Sequence, residues 1–172
     1  GHLYGVYAAL ATARTARGAL DLDLPETKVV VDGDGRIGAI VPRHRNDAHR
    51  LIEECMIAAN VEAAKFLRRH RLPTLFRVHA GPEDRKFEDL RVMLQGLGFA
   101  VSDAAQHRPR ELNRILGELR PRPDFPLLAT AVLRSLSQAV YQPGNTGHFG
   151  LTLGCYAHFT SPIRRYPDLL VH

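Results

Sequence analysis

Two adjacent arginines, Arg164 and Arg165, stand inside the run Ser161-Pro162-Ile163-Arg164-Arg165-Tyr166-Pro167-Asp168. Thr160 or Ser161 suits the capping position and Pro162 the first helical position, so the sequence predicts a helix start with both guanidinium groups in its first turn. Free backbone N–H groups at such a start favour an anion. A cation placed there opposes the helix dipole by about 0.3–1 kcal/mol, and an unpaired arginine pair therefore predicts that a negative group is received. Phosphate is the expected class, because the planar guanidinium fork bonds two of its oxygens at once. Pro167 lacks an N–H and must kink or restart the helix. The expected result is a rigid, buried corner that holds the Arg164 side chain.

The stretch before that corner alternates strictly from His148 to Phe159. Phe149, Leu151, Leu153, Cys155, Ala157 and Phe159 fall on one side, and His148, Gly150, Thr152, Gly154, Tyr156 and His158 on the other. This pattern predicts a strand with one core face. The second face is polar, aromatic and punctuated by glycine, which suits close approach of a ligand; an edge strand with a wet face is the plainer alternative. A zinc site from His148, Cys155 and His158 is disfavoured, since alternation sends Cys155 to the opposite face.

A further polar feature is Glu53-Glu54, inside a helix expected from about Ala48 to Arg69 and capped by Asn46-Asp47. Its main apolar stripe is read as Leu51, Ile52, Cys55, Met56, Ala59, Ala63 and Phe66, with Ile57 and Val61 on the other side. A helix apolar on two sides is expected to be buried on both. A buried carboxylate needs a partner. Neighbouring helical residues project about 100° apart, which argues against one shared job for the two glutamates. Solvation, or pairing with an arginine such as Arg50, is the plainer alternative.

The elements that must position these groups are mixed. Leu3 to Arg17 reads as a helix stopped at Gly18. Lys28 to Val31 and Arg36 to Val41 read as a hairpin around Asp32-Gly33-Asp34-Gly35, and the acidic spacing of that turn does not meet an EF-hand loop. Leu75 to His79 is a short strand candidate. Helices are expected from about Glu83 to Leu97, Arg110 to Leu119 and Leu127 to Tyr141, the last ended by Pro143-Gly144. The arginines from Arg108 to Arg122 read as a solvated surface, with RNA contact as the alternative. The expected fold class is α+β, helix-rich, with a β-hairpin and a C-terminal strand leading into a helix.

Composition bounds the partners. The chain has 172 residues, 45% of them hydrophobic, and a formal net charge of +5. That apolar share supports a packed domain or a piece of one, and the basic balance admits nucleic acid. The two cysteines, Cys55 and Cys155, lack disulfide or zinc spacing, so a reducing, cytoplasmic setting is expected. No stretch reads as membrane-spanning. Gly1-His2 looks like a tag remnant, and both ends look cut.

Arg45-Asn46-Asp47-Ala48-His49-Arg50-Leu51-Ile52-Glu53-Glu54-Cys55-Met56-Ile57-Ala58-Ala59-Asn60, the Gly147–Leu151 run and Tyr156 through Leu170 together resemble the ribonuclease II family and its RNB catalytic domain. Leu75 to His79 fits as well, and the resemblance holds in register over nearly the whole chain. It implies that residues 3–172 are the later portion of that catalytic domain. The implied activity is 3′-to-5′ hydrolysis of single-stranded RNA to nucleoside 5′-monophosphates by a two-metal, magnesium-dependent mechanism. Arg164 matches the arginine expected to stabilise charge on the scissile phosphate. Arg165, Glu54, His148, Tyr156, His158, Thr160 and Ser161 are implied as RNA-facing residues, Glu54 in preference to Glu53, plausibly through a ribose 2′-hydroxyl.

Two departures qualify the resemblance. The family's metal ligands are an aspartate cluster with an Asp-Asp pair, earlier in the domain; this chain has no such pair, so no metal ligand is expected here and the piece alone is expected to be inactive. The family often carries a base-stacking aromatic where Leu22 stands in Ala19-Leu20-Asp21-Leu22-Asp23-Leu24, and stacking is worth about 1–3 kcal/mol per base. The expected partner is single-stranded RNA, with neither DNA nor membrane. The rival reading is a non-catalytic RNA-binding relative that keeps the channel without the metal centre. A purely structural domain, with no salt-dependent RNA affinity, ranks last.

Overall fold

The computed structural model describes residues 2–22, 26–43 and 46–172. Gly1 of the expected tag remnant, Asp23 and Leu24 of the link, and Arg45 of the first long motif lie outside the described residues.

Helix α1 (His2–Arg17) ends where Gly18 adopts φ 76°, a left-handed conformation open to glycine, and the next two residues, Ala19 and Leu20, are buried. Strands β1 (Glu26–Val31) and β2 (Ile37–Arg43) form an antiparallel hairpin. Its turn is closed by the Asp32 carboxylate, which accepts the N–H groups of Asp34 and Arg36 at 3.0 and 2.9 Å. Helix α2 (Asp47–Arg69) starts at Asn46, whose side chain accepts the His49 N–H at 3.0 Å.

The buried face of α2 is not the expected one. Leu51, Glu54, Ile57, Asn60, Ala64 and Leu67 are buried, whereas Ile52 and Phe66 of the predicted stripe are 59% and 54% exposed. The spacing is helical in both readings. Only the position of the packing partners, α1 on one side and the 155–160 segment on the other, selects the stripe with two polar members.

A helical core comes next, from α3 (Asp84–Gly96), the unexpected short α4 (Ala104–His107), α5 (Pro109–Leu119) and α6 (Phe125–Ser135). Leu112, Ile115, Leu116 and Leu119 of α5 meet Phe87, Leu90 and Leu94 of α3, and Leu128, Ala129 and Val132 of α6. This is the i, i+3, i+4, i+7 pattern of a core-facing helix. The helix expected to reach Tyr141 stops at Ser135. Val140–Gln142 instead forms strand β4, antiparallel to β3 (Phe76–Val78), because the two edges satisfy each other's backbone groups. A smaller core joins Ala64, Phe76, Val78, Cys155 and Ala157.

The strand expected over His148–Phe159 is replaced by a tight turn and an irregular run. His148 and Leu153 exchange backbone hydrogen bonds at 2.7 and 3.2 Å, while Gly147 and Thr152 take φ 82° and 52°. Cys155, Tyr156 and Ala157 are all buried in succession, which no two-faced strand permits. Long-range ties explain the folding back: Leu20 N–H donates to the Gly150 carbonyl at 2.7 Å, and Arg17 Nε to the Leu151 carbonyl at 3.0 Å. Helix α7 (Tyr166–Val171) closes the chain. Among the described residues no helix is long and apolar enough to cross a membrane.

Candidate functional site

The corner between Phe159 and Asp168 hangs on two buried side chains. Asn60, 3% exposed on α2, accepts the N–H groups of Phe159 and Thr160 at 2.9 and 3.2 Å and donates to the Tyr156 hydroxyl at 3.0 Å. Asp168 is fully buried, and its Oδ1 accepts the Ser161 N–H at 2.8 Å and Arg165 Nη2 at 2.7 Å. The Ser161 carbonyl accepts the N–H groups of Arg164 and Arg165 at 3.2 and 3.1 Å. The turn is thereby fixed at both ends.

This geometry corrects three expectations about the corner. The helix begins at Tyr166 and not at Pro162, with Arg165 extended in the cap position. Pro167 is the reason: its missing N–H is harmless only in a first turn. Neither arginine is then in a helical turn. Arg165, not Arg164, is drawn into the interior, paired to Asp168, whereas Arg164 is exposed and its guanidinium donates to Ser161 Oγ at 3.4 Å. Ser161 is buried and Thr160 half-buried; the Thr160 hydroxyl, Arg165 Nε and Asp168 Oδ2 are buried without partners, which concentrates unused polar capacity at this corner.

Beside the corner runs a row of rings. Centroid separations are 4.9 Å for His79 and His148, 5.4 Å for His148 and Tyr156, 5.6 Å for Tyr156 and His158, and 5.5 Å for His158 and Tyr141. The Tyr141 hydroxyl lies 2.6 Å from His158 Nδ1, and the Arg77 guanidinium sits 4.6 Å above the Tyr141 ring. Burial, reinforced by His79 and Arg77, pushes His148 down to about 4; burial and Arg165 do the same to His158. Both imidazoles are neutral at neutral pH and present no cation to a phosphate. His79 is held low by burial as well, its Nδ1 accepting the Gly150 N–H at 3.1 Å. Tyr156 is turned inward, 6% exposed, with its phenol pushed up by burial. The predicted residues His148, Tyr156 and His158 are thus brought together, but as a packed row in which Tyr156 faces Asn60 and not an open surface.

Glu53 and Glu54 lie elsewhere, on the wall of a cavity of about 500 Å³ between α1, α2 and α5. Arg14 Nη1 is 2.7 Å from Glu54 Oε1 and 3.3 Å from Glu53 Oε1, so the two carboxylates share one guanidinium nitrogen after all. The long arginine side chain reaches between directions that diverge at the helix surface. Burial by itself lowers the Arg14 pKa, and the two glutamates outweigh it, leaving it raised. Glu54 is buried, while the Glu53 side chain is 35% exposed toward the cavity. Leu22 lines the same wall, with Tyr7 of α1. The arginines of the 108–122 stretch are largely engaged in structure: Arg120 pairs with Asp21 at 3.0 Å, Arg122 with Asp124 at 2.8 Å, Arg114 with Glu118, and Arg110 donates to the Ala16 carbonyl at 2.6 Å.

Asn60, Asp168 and Arg14 were not singled out by sequence reasoning. Asn60 and Glu54 face different partners, the 155–160 segment and α1, and their spacing alone does not mark them as a pair. Arg14 and Asp168 gave no signal either, because their partners are distant in sequence or lie across a turn. Among the described residues no three His, Cys, Asp or Glu side chains converge as metal ligands.

The sequence matches the RNB domain family over residues 1–172. Ribonuclease R of Escherichia coli (strain K12) is 45% identical over 170 residues, covering 99% of this chain and 21% of that protein. Ribonuclease R of Aquifex aeolicus is 44% identical over 167 residues, covering 97% and 24%. The chain thus spans between a fifth and a quarter of the length of these relatives. Among solved structures, Mycoplasma genitalium RNase R in complex with ribose methylated single-stranded RNA superposes with a TM-score of 0.89 at 29% identity, covering 96% of this chain and 26% of that one. Yeast Ssd1, a pseudonuclease, gives a TM-score of 0.63 at 23% identity over 75% of this chain and 16% of that one, a likeness of fold alone.

Proposed function

The chain belongs to the RNB domain family, and from that premise we propose that it is the later part of the catalytic domain of a 3′-to-5′ exoribonuclease that hydrolyses single-stranded RNA to nucleoside 5′-monophosphates. The observation that carries this reading is the division of labour between the two arginines. Arg165 is committed to Asp168, and Arg164, on a turn pinned through Ser161, Asn60 and Asp168, makes no ion pair among the described residues. A guanidinium on a pinned backbone turn, with no ion pair among the described residues, is available to a backbone phosphate. Arg165 then serves as the counter-charge that holds the turn. His148 and His158 contribute as neutral groups at the RNA wall, with Thr160 and Ser161 shaping the approach. The carboxylates of Glu53 and Glu54 supply the acceptor for a ribose hydroxyl.

Magnesium is the cofactor this reading carries, and among the described residues no three His, Cys, Asp or Glu side chains converge as its ligands. The buried Asp168 has one oxygen engaged twice, by the Ser161 N–H and by Arg165. The chain's own contribution is to bind, orient and neutralise the backbone phosphate. Cytoplasmic residence accompanies the reading.

In the full-length protein, Arg164→Ala should lower turnover on single-stranded RNA by about 10²–10³-fold, the range for loss of one group that stabilises transition-state charge, with RNA affinity largely retained. An equal loss of binding would contradict the role. The isolated chain should release no monophosphate from labelled RNA in magnesium. Failure of the full-length protein to release monophosphate, with salt-dependent RNA binding intact, would select the binding-only relative, whose fold is the same.

A further inference from the structure

The three imidazoles of the ring row each have a partner on Nδ1, and the partner differs in kind. His79 Nδ1 accepts the Gly150 N–H at 3.1 Å, and its Nε2 lies 2.8 Å from the Ser137 carbonyl. His148 Nδ1 accepts the Leu151 N–H at 3.2 Å. A backbone amide can only donate, so both of these rings carry their proton on Nε2. His158 Nδ1 meets instead the Tyr141 hydroxyl, at 2.6 Å. A single side-chain oxygen therefore selects the tautomer of this ring.

Between a phenol and a neutral imidazole, the phenol is the stronger donor and the bare ring nitrogen the stronger acceptor, which favours O–H···Nδ1. The pairing of β3 with β4 sets Arg77 opposite Tyr141, and the Arg77 guanidinium, 4.6 Å above the phenol ring, holds that ring in place. Burial and then Arg165 disfavour protonation of His158 and outweigh Asp168, so the imidazole is neutral. With Nδ1 taken, its one proton is on Nε2, which makes no hydrogen bond among the described residues. His158 is half-buried, lies two residues before Thr160, and sits in the field of Arg165 and of Arg77, a cation with no ion pair among the described residues. A neutral N–H donor in a positive field suits a phosphate oxygen.

We propose that Tyr141 is a positioning residue whose hydroxyl locks His158 as the Nε2–H tautomer, and that this N–H donates to a phosphate oxygen of the RNA backbone beside the Arg164 corner. The proposal rests on the exoribonuclease reading and deepens it, adding to the Arg164 cation a neutral donor whose direction is set from β4.

The test uses the full-length protein carrying isotopically labelled histidine at neutral pH, with the His158 signals identified by their loss in His158→Gln. Long-range proton–nitrogen NMR spectra distinguish a bare ring nitrogen from a protonated one. In the unsubstituted protein Nδ1 of His158 should be bare and Nε2 protonated. Tyr141→Phe, which keeps the ring beneath Arg77, should give a mixture of the two tautomers. The same variant should raise KM for single-stranded RNA about 3- to 10-fold, the scale of one neutral hydrogen bond, with kcat changed by less than about twofold. His158→Gln keeps an amide N–H near the position of Nε2 and has no tautomer to lock, so adding Tyr141→Phe to it should raise KM no further. One methylphosphonate linkage, which replaces a phosphate oxygen by methyl, should raise KM at a single position near the 3′ end in the unsubstituted protein and add nothing there in Tyr141→Phe. A single tautomer retained in Tyr141→Phe, an unchanged KM, or an equal rise in the His158→Gln background overturns the inference. So does a methylphosphonate penalty that is the same in both proteins at every position. Failure of the exoribonuclease reading registers separately, as absence of monophosphate release by the unsubstituted protein; the Kd for RNA then replaces KM in the same comparisons.

Discussion

Replacing Asn60 by alanine removes a buried side chain that ties α2 to the corner holding Arg164. Three hydrogen bonds are lost at once, from the Phe159 and Thr160 N–H groups and to the Tyr156 hydroxyl. Each such bond contributes about 1 kcal/mol net, and stranding a buried donor costs about 1–3 kcal/mol, so roughly 2–4 kcal/mol of local stability should disappear. At about 1.36 kcal/mol per factor of ten, this corresponds to exchange of the residue 159 and 160 amides about 30- to 1000-fold faster than in the unsubstituted protein. Native-state hydrogen exchange reads those two amides directly. The core amides of Leu116 and Val132, in the separate helical core, should keep their protection. Equal acceleration in both places would indicate general destabilisation, and unchanged protection at 159 and 160 would refute Asn60 as the anchor. Turnover should fall with local order, since Arg164 is displayed by the segment that Asn60 holds.

The C2 protons of His148 and His158 should titrate with midpoints near 4 by NMR. Because the folded values lie below the unfolded value of about 6.5, the unfolded chain binds more protons between them; stability is complete above about pH 6.5 and declines as pH falls toward 4. Midpoints near 6.5 would refute the packed, neutral ring row. Asp168→Asn should destabilise by about 3–5 kcal/mol, because it leaves the part-buried Arg165 uncompensated, and an unchanged denaturation midpoint would count against the pair. Gly81→Ala should destabilise by about 1–3 kcal/mol, since an added Cβ would lie 2.6 Å from the Gln106 carbonyl oxygen. Gly117→Ala, in the open on α5, should instead stabilise by about 0.5–1 kcal/mol, and thermal melting should separate the two in sign.

Much of the architecture was legible because the signals are local. The Asn46 cap, the stop at Gly18, the Asp-Gly turn between β1 and β2 and the α5 stripe are each set by residues within a turn or two of one another. The motif carrying Arg164 and Arg165 was recognisable for the same reason, and so was the family, through long runs of residues in register. That Leu22 shares a cavity wall with Glu53 and Glu54 was not legible, because the link after α1 and helix α2 meet only in the fold.

Other features were settled only when distant segments met. Alternation from His148 to Phe159 looks like a strand, yet the backbone folds back because Arg17 and Leu20, far upstream, take the carbonyls of Leu151 and Gly150. The chain after Ser135 became a strand because β3 was waiting with unpaired edge groups. Arg164 and Arg165 are chemically identical, and the fully buried Asp168 alone decides which is drawn inward. Glu53 and Glu54 diverge on their own helix but converge on an arginine from another one. Spacing along a chain fixes periodicity, caps and turns, because these depend on neighbours. Which face is buried, and which charge is paired, depends on what the rest of the chain brings to that face, and only tertiary contact supplies that.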